Sequence, residues 1–183
     1  MHKNLSDIDI DKIDLNLHKM TMQAGTIFYR VVDDGIDPVI PSGLYSRFSS
    51  QPSQYPGPKE FASLYENGQA IGVGTASTCV TYKVHVALQE SDAKNKVLWK
   101  LTLKTSIDAI DMDSICAAEG VPKPYINEDR EGIWKKFYGK HIKALRYESF
   151  EDKNEYNAVM FPDWIEDFQN TFLKERVDPA NAK

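Results

Sequence analysis

At 183 residues the chain has the length of one globular domain with a sizeable core. Its 42% hydrophobic and 27% charged residues are ordinary for a water-facing fold, and a net charge of -5 argues against a broad nucleic-acid surface. No apolar run nears the roughly 20 residues that span a bilayer, and the first residues lack a signal-peptide core. The expectation is a cytoplasmic protein that engages neither membrane nor nucleic acid.

In chain order, residues 1–24 set Ile8, Ile10, Ile13, Leu15 and Leu17 among Asp7, Asp9, Asp11 and Asp14. That spacing fits neither a helix nor a strand, so it predicts an acidic N-terminal extension, packed on the domain of residues 25–183 or partly loose. Residues 26–32 predict a strand, entered at Gly25 and left at Asp33-Asp34-Gly35. The proline-rich stretch 37–58 predicts a long loop, of the kind more often functional than idle. A short strand follows at 61–65, then a small-residue helix at 69–78. Alternating apolar residues predict strands at 80–88 and 97–103. Residues 111–119 suit a short helix stopped by Gly120, and 129–143 a longer one, with strands at 144–148 and 156–161. From Pro162 onward, Trp164, Phe168 and Phe172 recur at i, i+4 and i+8, the pattern of an amphipathic helix with a core-facing stripe. Trp99 and Trp134 read as core residues. The sum is α+β, with strands spaced too closely for a doubly wound sheet.

Arg30 is the chemical oddity of the first strand, Thr26-Ile27-Phe28-Tyr29-Arg30-Val31-Val32. Burying a guanidinium without a partner costs several kcal/mol. It therefore pairs with an internal carboxylate or meets an anionic ligand such as a phosphate. Gly72-Val73-Gly74 lacks the third glycine and the βαβ frame of a dinucleotide loop, and reads instead as small residues that permit close packing. Cys79 and Cys116 read as two buried thiols of a cytosolic protein, and no His or Cys spacing suggests a metal.

Taken in order, several pieces resemble the RES family, named for its Arg, Glu and Ser. They are Phe28-Tyr29-Arg30, the turn Ser42-Gly43-Leu44-Tyr45-Ser46-Arg47-Phe48, Tyr55-Pro56-Gly57-Pro58, and Leu64-Tyr65. Near the C-terminus follow Arg146-Tyr147-Glu148-Ser149 and Asn157-Ala158-Val159-Met160-Phe161-Pro162-Asp163. The family resembles ADP-ribosyltransferases, and its toxins consume NAD. The resemblance implies a compact ADP-ribosyltransferase-like fold of mixed sheets with flanking helices. It also implies NAD as substrate without a metal, and cleavage of the nicotinamide–ribose bond by phosphate or water, or transfer of ADP-ribose to a protein. It implies a cognate antitoxin or immunity protein as partner.

Carried onto this chain, Arg30 and then Arg47 would clamp the diphosphate, while Tyr65 would stack on a ring or hydrogen-bond a ribose. Ser149 would bind a ribose hydroxyl or the nicotinamide amide. Arg30, Tyr65 and Ser149 are thus the expected catalytic residues. The family's Glu falls about eleven residues past the tyrosine, where this chain reads Gly74-Thr75-Ala76-Ser77-Thr78 and has no carboxylate. The alternative reading is therefore a non-catalytic domain that binds NAD, ADP-ribose or a partner.

Overall fold

The computed structural model describes residues 3–35, 37–39, 71–74, 96–122, 136–148 and 156–177. They form eight strands: β1 (Lys19–Met22), β2 (Ile27–Asp33), β3 (Ile71–Gly74), β4 (Lys96–Leu103), β5 (Ile107–Asp111), β6 (Ala144–Glu148), β7 (Tyr156–Met160) and β8 (Phe172–Val177). The helix α1 (Met112–Glu119) follows β5 directly. All eight strands join one sheet in the order β1-β5-β6-β7-β3-β2-β4-β8. The β5–β6 pair is parallel and the remaining pairs are antiparallel, so the architecture is α+β with a mixed sheet, as expected.

One buried cluster runs along a single face of the sheet, from Met22 on the edge strand β1 to Phe172 on the edge strand β8, together with Phe28, Leu101, Leu103, Ile107 and Ala109. The inner face is thus filled by this cluster, which Ile165 and Phe168 close from one side. The outer face of β5, β6 and β7 carries a second core, in which Leu145 and Val159 meet Ile115 and Cys116 of α1.

Helix α1 owes its bounds to two residues visible in the sequence. The Asp111 carboxylate accepts from the backbone N–H of Asp113 (3.0 Å) and Ser114 (3.3 Å), satisfying donors that a helix start leaves open. At the other end Gly120 takes φ 72°, a conformation open to glycine at little cost, and Val121 N–H returns to the Cys116 carbonyl at 2.9 Å.

Residues 3–22 are built into the fold. Leu5, Ile8 and Ile10 are at most 3% exposed within the outer core, and β1 pairs with β5 over four positions. Three 3-10 turns, Leu5–Asp7, Ile10–Lys12 and Leu15–His18, explain the spacing that fitted no regular element. Leu5, Ile10 and Leu15 recur every five residues, one tight turn plus a short extended link. The acidic residues between them are turn formers: Asp9 accepts from Asp11 N–H at 3.2 Å and Asp14 from Asn16 N–H at 3.1 Å. Ion pairs from Lys3 to Glu119 and from Lys140 to Asp11 fasten the segment at its start and in its middle.

Two predicted helices are replaced by strands. Residues 71–74, within the predicted small-residue helix, form β3 between β7 and β2. Ile71 and Val73 are β-branched and alternate with glycine, which suits a central strand whose neighbours pack close. The predicted C-terminal amphipathic helix is instead two 3-10 turns, Pro162–Trp164 and Phe168–Asn170, followed by β8. Asp167 sits at φ 50° and breaks any helix there, while the free edge of β4 gains a partner along Leu98–Leu103. The stripe still belongs to the core: Phe168 and Phe172 are buried with rings edge to face at 5.8 Å, and Trp164 packs on the outer core. The predicted loop beyond residue 39, the strands at 61–65 and 80–88, Cys79, Trp134 and residues 129–135 lie outside the described residues.

Candidate functional site

Arg30 is on β2, and its side chain is 4% exposed on the inner face, two residues on from the buried Phe28. Its Nη1 donates to the Pro38 carbonyl at 3.2 Å. This bond ties the charged residue to the start of the proline-rich stretch. Of the other expected site residues, Arg47, Tyr65 and Ser149 lie outside the described residues. Ser149 follows directly on Glu148, the last residue of β6.

Strand register places other polar groups on the same face. Asp111 stands opposite Arg146, Arg146 opposite Ala158, and Ala158 opposite Val73. Continuing the Tyr29–Gly74 pairing by one residue puts Arg30 opposite Val73, and Arg30 in turn faces Trp99, which faces Arg176. One transverse row across seven strands therefore carries Asp111, Arg146, Arg30, Trp99 and Arg176 on one side of the sheet. The next row brings Glu148 opposite Tyr156. The Tyr156 ring meets Phe28 edge to face at 6.0 Å across an intervening strand, and the Arg146 guanidinium lies over the same ring at 4.5 Å. Two strand spacings amount to about 9.6 Å, so the two rings lean toward each other across the gap between β2 and β7.

The three guanidiniums are held differently. Arg146 has Asp111 Oδ2 at 3.8 Å, a loose pair, and its Nε is buried without an acceptor. Arg176 is paired with Asp34 at 3.0 Å and lies 5.9 Å from the centre of the Trp99 ring. Trp99 itself is half-buried, an edge of the inner core rather than its centre.

A cleft of about 310 Å³ opens beside this end of the row, with Asp34, Asp37, Pro38, Trp99, Lys174 and Arg176 among its walls. Its two cations are already matched, Lys174 with Asp37 at 2.8 Å and Arg176 with Asp34 at 3.0 Å. A diphosphate would have to displace those carboxylates, at a cost in both Coulomb energy and hydrogen bonds. Pro38 joins the cleft to Arg30, because its carbonyl holds the Arg30 guanidinium. Arg146, by contrast, is half-buried over the Tyr156 ring with a looser pairing to Asp111.

The Tyr138 hydroxyl, packed against the outer core, donates to Asp163 Oδ2 at 2.5 Å. That hydrogen bond, aided by burial and by the carboxylate charge, pushes the Tyr138 phenol up to about 12. It stays neutral through the physiological range, which removes it as a base. Among the described residues, no group of three or more His, Cys, Asp or Glu side chains is placed to hold a metal, and no helix is long and apolar enough to cross a membrane.

Sequence reasoning singled out Arg30 but missed Tyr156 and Arg146. Their signal was parity: Arg146 and Glu148 alternate along one strand and Tyr156 begins the next, but which face is inner cannot be read from a five-residue strand with polar residues on both sides.

No family model and no curated protein matches the chain. Among solved structures, a chain of the crystal structure of the M. tuberculosis MbcT-MbcA toxin-antitoxin complex is similar, with a TM-score of 0.57 at 14% identity. The match covers 87% of this chain and 88% of that one. At this identity the likeness is one of fold, and the α+β fold with its mixed sheet is similar to that of a chain from a toxin–antitoxin complex.

Proposed function

We propose that this protein is a RES-like toxin that binds NAD and breaks the nicotinamide–ribose bond. The observation that carries the reading is a buried guanidinium, Arg30, on the inner face of a central strand, in a fold similar to that of a toxin–antitoxin chain. A planar guanidinium holds two diphosphate oxygens at once, and in a dry site that contact is strong. Glycosidic cleavage passes through an oxocarbenium-like state. The C1–N1 electron pair leaves with nicotinamide, whose ring nitrogen loses its positive charge. An oxygen of phosphate, water or a protein side chain then bonds to C1 and gives up its proton. The enzyme's part is to hold the dinucleotide at its diphosphate and to set negative or dipolar groups beside the ribose.

The partner in this reading is a cognate antitoxin or immunity protein that masks the inner face. A second reading, a domain that binds NAD or ADP-ribose without turnover, draws on the absence of a carboxylate in residues 74–78. Purified protein incubated with NAD, with and without inorganic phosphate, is expected to release free nicotinamide. NAD-induced thermal stabilisation without nicotinamide release selects the binding-only reading. Absence of both results removes NAD as the ligand.

A further inference from the structure

We propose that Asp34, Gly35, Asp37 and Pro38 form a strap latched over Arg30, and that its release governs the access of an anionic ligand to that guanidinium. Only the identity of the ligand rests on the NAD-cleaving reading above. Arg30 is 4% exposed, and among its contacts Nη1 donates to the Pro38 carbonyl at 3.2 Å. Two diphosphate oxygens need a guanidinium edge that is open to them. In this conformation Arg30 has none, so a covering group has to move before such a ligand binds. Pro38, itself buried, is a covering group of the right kind. Its neutral carbonyl is a weaker partner for a guanidinium than a charged phosphate oxygen.

What holds the strap down lies on β8. β2 ends at Asp33, and the chain turns at Asp34 and Gly35, the latter at φ 84°, a left-handed value that glycine takes at little cost. It then comes back over the inner face, since Val39 is fully buried in the inner core. Between those two anchors the strap leans across β4 to β8. There Asp34 pairs with Arg176 at 3.0 Å and Asp37 with Lys174 at 2.8 Å. The other carboxylate oxygen of Asp37 accepts the Val39 N–H at 3.0 Å, which stiffens the return.

The two pairs are weak enough to open. The side chains of Lys174 and Asp37 are about a third exposed, and those of Arg176 and Asp34 more than half, so water and salt reach all four charges. Nor is the strap packed solidly on the sheet. It forms one wall of the cleft of about 310 Å³, with Trp99, Lys174 and Arg176 opposite. Opening breaks two exposed ion pairs and leaves β2 and the buried Val39 in place. It takes the Pro38 carbonyl off Arg30 and uncovers the face that Arg30 shares with Trp99, its direct partner on β4.

The test reads Arg30 directly and without NAD. Phenylglyoxal modifies accessible guanidiniums, and peptide mass spectrometry gives its rate at Arg30 in the wild type and in the double variant Lys174→Gln/Arg176→Gln. Two exposed ion pairs together shift such an equilibrium by about 2–30-fold. Labelling of Arg30 is expected to rise by that factor, while labelling of Arg146 on β6 stays the same. In about 1 M sodium chloride the two proteins are expected to converge, because salt screens the latch of the wild type. NAD is expected to bind the double variant more tightly by a similar factor. Equal labelling of Arg30 in the two proteins overturns the latch, whatever NAD does, and so does weaker NAD binding by the double variant. Faster labelling of Arg30 with no NAD binding by either protein upholds the latch and removes NAD as the ligand. Should the double variant loosen throughout and raise Arg146 as well, Asp34→Asn, a change at a mostly exposed residue, takes its place, and unchanged labelling of Arg30 there overturns the proposal.

Discussion

Replacing Arg30 with alanine is expected to abolish the thermal stabilisation of the protein by NAD while leaving a folded, cooperatively melting chain. Among its contacts Arg30 gives a charge-assisted hydrogen bond to the Pro38 carbonyl, and losing that bond costs about 1.5–3 kcal/mol. Removing the guanidinium also removes its desolvation penalty, which offsets part of what is lost. For a chain of this size each kcal/mol corresponds to about 2–4 °C of melting temperature, so a lower melting temperature with a cooperative transition is expected.

The binding part is larger. Truncating one side of a buried, hydrogen-bonded charge pair costs about 2–5 kcal/mol, which takes micromolar binding beyond ready detection. Thermal melts of both proteins, with and without NAD, separate the two parts. An Arg30→Ala chain that does not fold at all would assign the residue a purely structural ion-pair role.

The second large effect concerns the N-terminus. Deleting residues 1–18 is expected to leave a chain without a cooperative melting transition at room temperature. Leu5, Ile8 and Ile10 are buried against Ile115, Phe137 and Leu145, and each such side chain contributes about 1.5–3 kcal/mol by leaving water. Three of them sum to about 5–9 kcal/mol, against a typical total stability of 5–15 kcal/mol. The deletion also exposes the outer face of α1 and removes the ion pairs through Lys3 and Asp11. The single substitution Ile8→Ala grades the same effect, at about 2–5 kcal/mol. A truncated chain that melts like the intact one would make the segment an appendage.

The strands of the sheet were legible where side chains alternate or where a β-branched run is bounded by turn residues. β2, β4, β6 and β7 lie within a residue or two of their predicted bounds, and α1 is announced by its Asp111 cap and its Gly120 stop. Three features were hidden, each for a physical reason. The N-terminal segment has a five-residue cadence that belongs to neither regular element, and its solvent-facing aspartates Asp9 and Asp14 also cap its tight turns. β3 is only four residues long and half glycine, so its neighbours on both sides help decide its state. The aromatic spacing after Pro162 imitates a helix, but the unpaired edge of β4 offers backbone hydrogen bonds that a surface helix could not use.

The candidate site was legible only as Arg30, because a charge inside an apolar strand is conspicuous by itself. Arg146 and Tyr156 come to share its face of the sheet only through the pairing of strands far apart in sequence.

A crystal structure of the protein with NAD bound tests the central claim most directly. The diphosphate is expected within hydrogen-bonding distance of the Arg30 guanidinium, with the nicotinamide ribose on the same face of the sheet. NAD seated on the outer face, or Arg30 turned away from the dinucleotide and still bonded only to protein groups, would contradict the account.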